Sequence, residues 1–345
     1  MSHNFDFPQN VMRYSKLRYL QNRVTQCVRA LPESFAELSD WESYRTQLLG
    51  FLRERLPVWE LGGERFGRVV TSAPLGSDLV LESVDVHFED GFFVPVQVYR
   101  LADASAPSGA VLVCPGYGQR KNDAGVADIG MALARSGLVA VTVEYGGTGE
   151  CADRPDLDTN VNNICAAGEL VGITNVGLRV MTNIAVLEYL KTRREVDAQR
   201  IGITGLCQGS MSAFVSAAVC EELRAVAPLC GATNYEAIIN EYCNRQGGWS
   251  GISMYVFDML KVADLQHVFA LIAPRPLLVQ NDIIDLHWPA SGFEKVKNLA
   301  ANVYDLYGAG DKCAFKYEHG PHLFAEPYIT NIVAWMSEHL REHAS

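Results

Sequence analysis

The sequence lacks the marks of several protein classes. No C-x-x-C pair occurs among its nine cysteines, which are scattered at positions 27, 114, 151, 165, 207, 220, 230, 243 and 313. That argues against a zinc site and against a disulfide framework, and no metal or cofactor is expected. No basic run occurs in a chain whose 40 acidic residues outnumber its 29 lysines and arginines, for a net charge of −11. Nucleic acid and anionic membrane surfaces are therefore not expected partners. The start, MSHNFDFPQN, has no apolar segment of the secretory kind, and no stretch approaches the length of a membrane span. A cytoplasmic location with reduced thiols is the expectation. A phosphate-binding G-x-x-x-x-G-K-[ST] loop is missing, and Gly116-x-Gly118 lacks the third glycine of a dinucleotide fingerprint. What remains is an ordinary globular composition over 345 residues, enough for one large core or a core with an accessory region.

The informative stretch is Arg200 to Val219, RIGITGLCQGSMSAFVSAAV. A short apolar run of β type leads into Gly205-Leu206-Cys207-Gln208-Gly209, and small residues at helical spacing follow. This is the strand, sharp turn and helix in which a G-x-S-x-G nucleophile elbow sits, with cysteine at the serine position. The glycines let strand and helix approach a strained turn without a Cβ in the way. A thiol at a helix N-terminus is placed for nucleophilic chemistry; the alternative is a buried cysteine in a strand-to-helix turn, since free cysteine is commonly a core residue.

The rest of the chain falls into order around it. Residues 10–31 carry Tyr14, Leu17, Leu20, Val24, Val28 and Leu31 at spacings of three and four, which predicts one helix face. Ser39-x-x-Glu42 reads as a capping box ahead of a second helix with Trp41, Tyr44, Leu48, Leu52 and Leu56, closed by Pro57. Residues 1–75 are accordingly expected to form a helical extension, packed on the core or on a partner subunit in a homo-oligomer. Residues 76–345 are expected to be the catalytic domain. It opens with a β-hairpin, Val80–Phe88 and Phe92–Tyr99, about the turn Glu89-Asp90-Gly91. Near-continuous apolar strands at 109–114, 138–144, 200–206, 225–228, 276–280 and 314–318 follow, interleaved with helices at 124–135, around 173–190 and at 327–340. That pattern predicts an α/β fold with a mostly parallel sheet covered on both faces. Residues 231–270, rich in aromatics and without clear period, interrupt it and read as an insertion or lid beyond the strand ends.

A cysteine nucleophile needs a base, and the base needs an orienting acid. Asp282 and Asp285 follow the strand at 276–280, and His319 and His322 follow the strand at 314–318. His322 is preferred, because the Gly320-Pro321 turn lets its ring swing over the sheet edge. Asp285 is preferred, because it lies beyond the strand in a turn that Trp288-Pro289 closes. His287 has no assigned part. The oxyanion hole is expected from the N–H groups of Gln208 and Tyr117, the latter in the permissive Gly116-Tyr117-Gly118 loop. Arg120, Trp249 and Tyr255 are candidate substrate contacts. Arg120 and the adjacent Lys121 are read as a carboxylate clamp or as a solvated helix start.

The elbow with its preceding run from Glu195 to Gly205, Pro115-Gly116-Tyr117, Ile272-Ala273-Pro274-Arg275-Pro276-Leu277-Leu278, and the turns holding Asp285, Pro289 and His322 together resemble acetyl xylan esterase and cephalosporin C deacetylase-like α/β hydrolases. The resemblance spans residues 80–342. It implies the α/β-hydrolase fold, a triad of Cys207, Asp285 and His322, and hydrolysis of a small-molecule acyl substrate without a cofactor. That family uses serine. The cysteine resembles the elbows of dienelactone hydrolase and of polyhydroxyalkanoate synthases, which implies a cysteinyl acyl-enzyme formed from an ester, thioester or lactone. Transfer of the same acyl group to an amine, alcohol or carbon is the alternative.

Overall fold

The computed structural model describes residues 15–57, 66–89, 91–104, 106–154, 160–243, 251–283, 285 and 287–341. The chain begins with two helices, α1 (Lys16–Val28) and α2 (Leu38–Arg55), before the first strand. The strands are β1 (Gly67–Leu75), β2 (Leu79–Glu89), β3 (Phe92–Leu101), β4 (Ser108–Cys114), β5 (Val139–Val143), β6 (Val196–Leu206), β7 (Leu223–Leu229), β8 (Leu277–Asp282) and β9 (Cys313–Glu318). They form one sheet in the order β1-β2-β3-β5-β4-β6-β7-β8-β9. From β5 to β9 every neighbouring pair is parallel, while β1, β2 and β3 form an antiparallel edge joined to β5.

Both faces of the parallel part are covered, which explains why its strands read as unbroken apolar runs. On β4, Ala110, Leu112 and Cys114 enter one core cluster and Val111 and Val113 the other. Helices α3 (Ala124–Arg135) and α9 (Tyr328–Leu340) cover one face. On the other lie α5 (Asn175–Lys191), α6 (Gln208–Val219), the short α7 (Leu265–Ala270) and α8 (Ala290–Leu306). Helix α4 (Val161–Val171) precedes α5. Among the described residues no single helix is long and apolar enough to cross a membrane. The bent pair α4–α5 passes that test jointly by length and composition, but α5 is buried in the core.

The leading region differs from expectation in three ways. On the expected face of α1 Leu17 and Leu20 are exposed but Val28 is buried, and Tyr14 lies outside the described residues, so apolar spacing marks the packed face only in part, and buried Gln21 donates to the Ile239 carbonyl. No capping box forms at Ser39. Helix α2 starts from Glu37 without a side-chain cap, because Trp41, Leu48, Leu52 and Leu56, all fully buried, anchor it in the core. Residues 67–75, expected within the helical extension, are the edge strand β1. The two helices dock on the same chain: Tyr44 Oη donates to the Val262 carbonyl, and Asn302 bonds Phe35 through both its donor and its acceptor.

Candidate active site

In a doubly covered sheet the usable crevice lies beyond the carboxyl ends of the strands, where the order reverses about a central strand. Here β4 is flanked by β5 and β6, and the loops after β4, β6, β8 and β9 meet in one cavity of about 180 Å³. Tyr117, Cys207, Gln208, Trp288 and His322 line it, with Ser253 and Met254 above.

Cys207 sits between β6 and α6 with φ 57°, a left-handed backbone uncommon for a residue with a Cβ. The turn is possible because its flanks are bare. A Cβ on Gly209 would lie 2.0 Å from the Cys114 carbonyl oxygen, and one on Gly205 would lie 2.2 Å from that of Gly209. The chain thus draws the nucleophile candidate, the start of α6 and the loop after β4 into contact.

His322 and Asp285 complete the line. His322 Nδ1 donates to Asp285 Oδ2 at 2.6 Å, which leaves Nε2 to receive the thiol proton. The other carboxylate oxygen of Asp285 accepts the His287 backbone N–H at 2.8 Å. Burial lowers the affinity of His322 for a proton. Hydrogen bonds to Asp285, Cys207 and Cys230, with the charge of Cys207, outweigh it and push the imidazole up to about 12. Of the alternative residues, Asp282 accepts the Gly320 N–H at the long distance of 3.5 Å, and His319 is exposed at the end of β9.

The expected oxyanion loop lies beside the elbow. A Cβ on Gly116 would stand 3.5 Å from Cys207 Cβ, and the Gly116 N–H donates to Gln119 Oε1. The Gln208 side chain is clamped: its Oε1 accepts from Arg179 and its Nε2 donates to the Ser253 carbonyl.

Arg179 was not picked out by the sequence reading, and the structure gives it a central place. Its guanidinium donates to the Pro115 carbonyl at 2.6 Å and to Gln208 at 3.2 Å. It also lies 3.6 Å from the Tyr145 ring centroid, a close cation–π contact. Burial lowers its proton affinity, partly offset by Tyr145, Cys114 and Cys207. It belongs to a stripe along α5. Asn175 donates to the Ser253 carbonyl; Asn183 donates to Ser216 and accepts from Tyr145. Asn175, Arg179 and Asn183 are four residues apart, one face of a helix. That spacing of polar residues inside an apolar helix is the signal the sequence offered.

Three expected substrate contacts fare differently. Trp249 lies outside the described residues. Tyr255 does not line the cavity; it packs against Tyr235 with ring centroids 5.2 Å apart. Arg120 is likewise absent from that cavity, and borders a separate polar recess past the loop after β4. Lys121 is neither a carboxylate clamp nor solvated, but buried between Glu144 and Glu150. Conversely His287, given no part, lines the cavity beside His322. A loop histidine has no sequence signal that separates these cases.

Sheet order, the elbow after β6 and the residues after β8 and β9 define an α/β-hydrolase fold. Residues 96–244 match the model of the dienelactone hydrolase family. The chain is 28% identical over 143 residues to YtaP of Bacillus subtilis (strain 168), a protein named as a hydrolase. That match covers 41% of this chain and 46% of YtaP, so it spans about half of that relative's length. Among solved structures, a Bacteroides fragilis protein described as an acetyl xylan esterase superposes with a TM-score of 0.71 at 15% identity, over 96% of this chain and 91% of that one. The methylesterase BT1017 superposes at 0.68 and 19% identity, over 92% of this chain and 68% of its own. A glucuronoyl esterase from Solibacter usitatus superposes at 0.61 and 17%, over 85% and 91%. At such identities the likeness carries the fold.

Proposed function

We propose that the chain is a hydrolase that cleaves an ester, thioester or lactone through a cysteinyl acyl-enzyme on Cys207. The observation that carries this reading is the His322 imidazole held between Asp285 and the elbow thiol at the edge of one cavity. His322 holds the proton of Cys207 while the sulfur attacks the substrate carbonyl. The oxyanion that forms faces the N–H groups of Tyr117 and Gln208. Collapse expels the alcohol or thiol, which receives the proton from His322. Water then gives His322 a proton as it attacks the thioester, and the acid leaves with Cys207 free again. Asp285 keeps the proton on Nδ1 throughout, so that Nε2 always faces the sulfur. The names of the matched relatives, hydrolase and esterase, support the reaction class.

Acyl transfer is a second reading, favoured by the segment 251–254 above the cavity. A covered thioester survives long enough for an amine or thiol to compete with water.

The test is turnover of an aryl ester by the intact chain and by Cys207→Ala. Wild type should form an acyl adduct on the peptide containing residue 207, and Cys207→Ala should lose on the order of 10⁴-fold or more in kcat. An active Cys207→Ala rejects the nucleophile assignment. Product that forms only when an amine or thiol is supplied rejects hydrolysis in favour of transfer.

A further inference from the structure

The proposed reaction leaves unused a buried thiol beside the site, Cys230. Cys230 stands at the end of β7, next to the strand that carries the elbow. Leu206 and Leu229 are opposite each other in the parallel register, and the Cys207 N–H donates to the Leu229 carbonyl at 3.0 Å. The two cysteines therefore follow the last residues of adjacent strands. Both have left-handed backbone, φ 57° at Cys207 and 47° at Cys230, and β-branched or bulky residues rarely sit there. Gly231 keeps the second turn close to the first: a Cβ on it would lie 3.0 Å from the Cys207 carbonyl oxygen.

Their sulfurs converge on one imidazole. Cys230 Sγ, a His322 ring nitrogen and an Asp285 oxygen all lie within 4.8 Å of one another, and Cys207 and Cys230 both raise the proton affinity of His322. Neighbouring strands run about 5 Å apart, inside the Cα separation of about 4.4–6.8 Å that a disulfide spans. Access differs between the two. Cys207 lines the cavity, whereas Cys230 is fully buried.

We propose that Cys230 is a resolving thiol: a peroxide oxidises Cys207, and Cys230 captures it as an intramolecular disulfide that a dithiol reopens. The proposal rests on the reading of Cys207 as the reactive thiol. The Cys207 thiolate attacks one oxygen of hydrogen peroxide, the O–O bond breaks, and a sulfenic acid and hydroxide result; His322, which holds the proton of the Cys207 thiol, gives it to the hydroxide to form the first water. The Cys230 sulfur, losing its proton to His322, then attacks the Cys207 sulfur. The S–O bond breaks, and the oxygen leaves as water with the proton that His322 took. Two thiols become one disulfide, and one peroxide becomes two waters. Burial raises the Cys230 thiol, so it stays protonated at rest and does not compete for acyl groups. The capture spares Cys207 from the irreversible sulfinic and sulfonic acids.

The experiment treats the full chain with hydrogen peroxide, then reads intact mass, linked peptides and aryl-ester turnover before and after dithiothreitol. Wild type should lose about 2 Da, the mass of two hydrogens, as the disulfide closes, yield a peptide pair linking 207 to 230, and regain its activity. Cys230→Ser should instead gain about 32 or 48 Da on Cys207. Its recovery, relative to its own untreated rate, should fall on the order of ten-fold. Cys230→Ala serves as the second variant, and peroxide modification of Cys207 is read by mass even where either variant is slow. Absence of the 207–230 link in wild type, or equal recovery in wild type and both variants, overturns the proposal. A link that forms while Cys207→Ala still turns over ester rejects the hydrolytic role of Cys207 and leaves the dithiol standing.

Discussion

The elbow beneath the cavity is held by close backbone fit at its glycines, whereas the segment above it hangs on side-chain hydrogen bonds. Under the sulfur, Gly205 and Gly209 allow three backbone segments to meet with no space for a Cβ. Above it, the Ser253 carbonyl accepts from Asn175 and Gln208, and Tyr235 Oη bonds the Met254 carbonyl and the Val256 N–H. The lower part is steric, so it tolerates almost no change at the glycines. The upper part is polar and distributed, so single losses weaken it by steps. Helix α5 joins the two, since Arg179 reaches the loop after β4 and Asn175 reaches the segment above.

The comparison breaks hardest at the acid. Asp285→Asn should cost on the order of 10⁴-fold in kcat, because the amide no longer fixes the imidazole tautomer. Asp282→Asn should cost far less, and the reverse order would place the acid at 282. The same variant has a pH signature. The folded-state value of His322, about 12, lies above the ordinary histidine value of about 6.5. The stabilisation is therefore complete below about pH 6.5 and fades as pH rises toward the folded value. Asp285→Asn removes the first of the raising partners, so urea unfolding between pH 6 and 10, about one proton's linkage at most, should show a shallower loss of stability than in wild type. An equal slope would remove Asp285 from the coupling.

Arg179→Met tests the link between the two parts. It frees the Pro115 carbonyl and Gln208 together, and kcat should fall on the order of 10²-fold with KM little changed, as when an oxyanion donor is misplaced. Arg179→Lys should restore only part, since one ammonium lacks the fork that spans two acceptors. A fall in thermal stability without a change in kcat would mean that Arg179 is structural. The smallest effect is expected above the cavity. Asn175→Ala removes one of two donors to Ser253 and should cost about 1 kcal/mol, read as a rise of roughly five-fold in KM. An unchanged KM would show that the segment is held without Asn175.

The sequence by itself determined what depends on neighbours along the chain. The elbow, the helix at 124–135, the parallel strands and the order of Cys207, Asp285 and His322 were legible, because glycine spacing and apolar periodicity act within a few residues. The choice of Asp285 over Asp282 came from a turn, and the structure places Asp285 on His322. Tertiary structure decided what depends on partners across the chain. Exposed Leu17 and Leu20 show that apolar spacing finds a packed face only where a neighbour is there to cover it. Arg179, Asn175 and Cys230 act through atoms 20 or more residues away, and Tyr255 turns from the cavity to Tyr235. A buried polar or thiol group is defined by what meets it, and that meeting exists only once the sheet has brought the loops together.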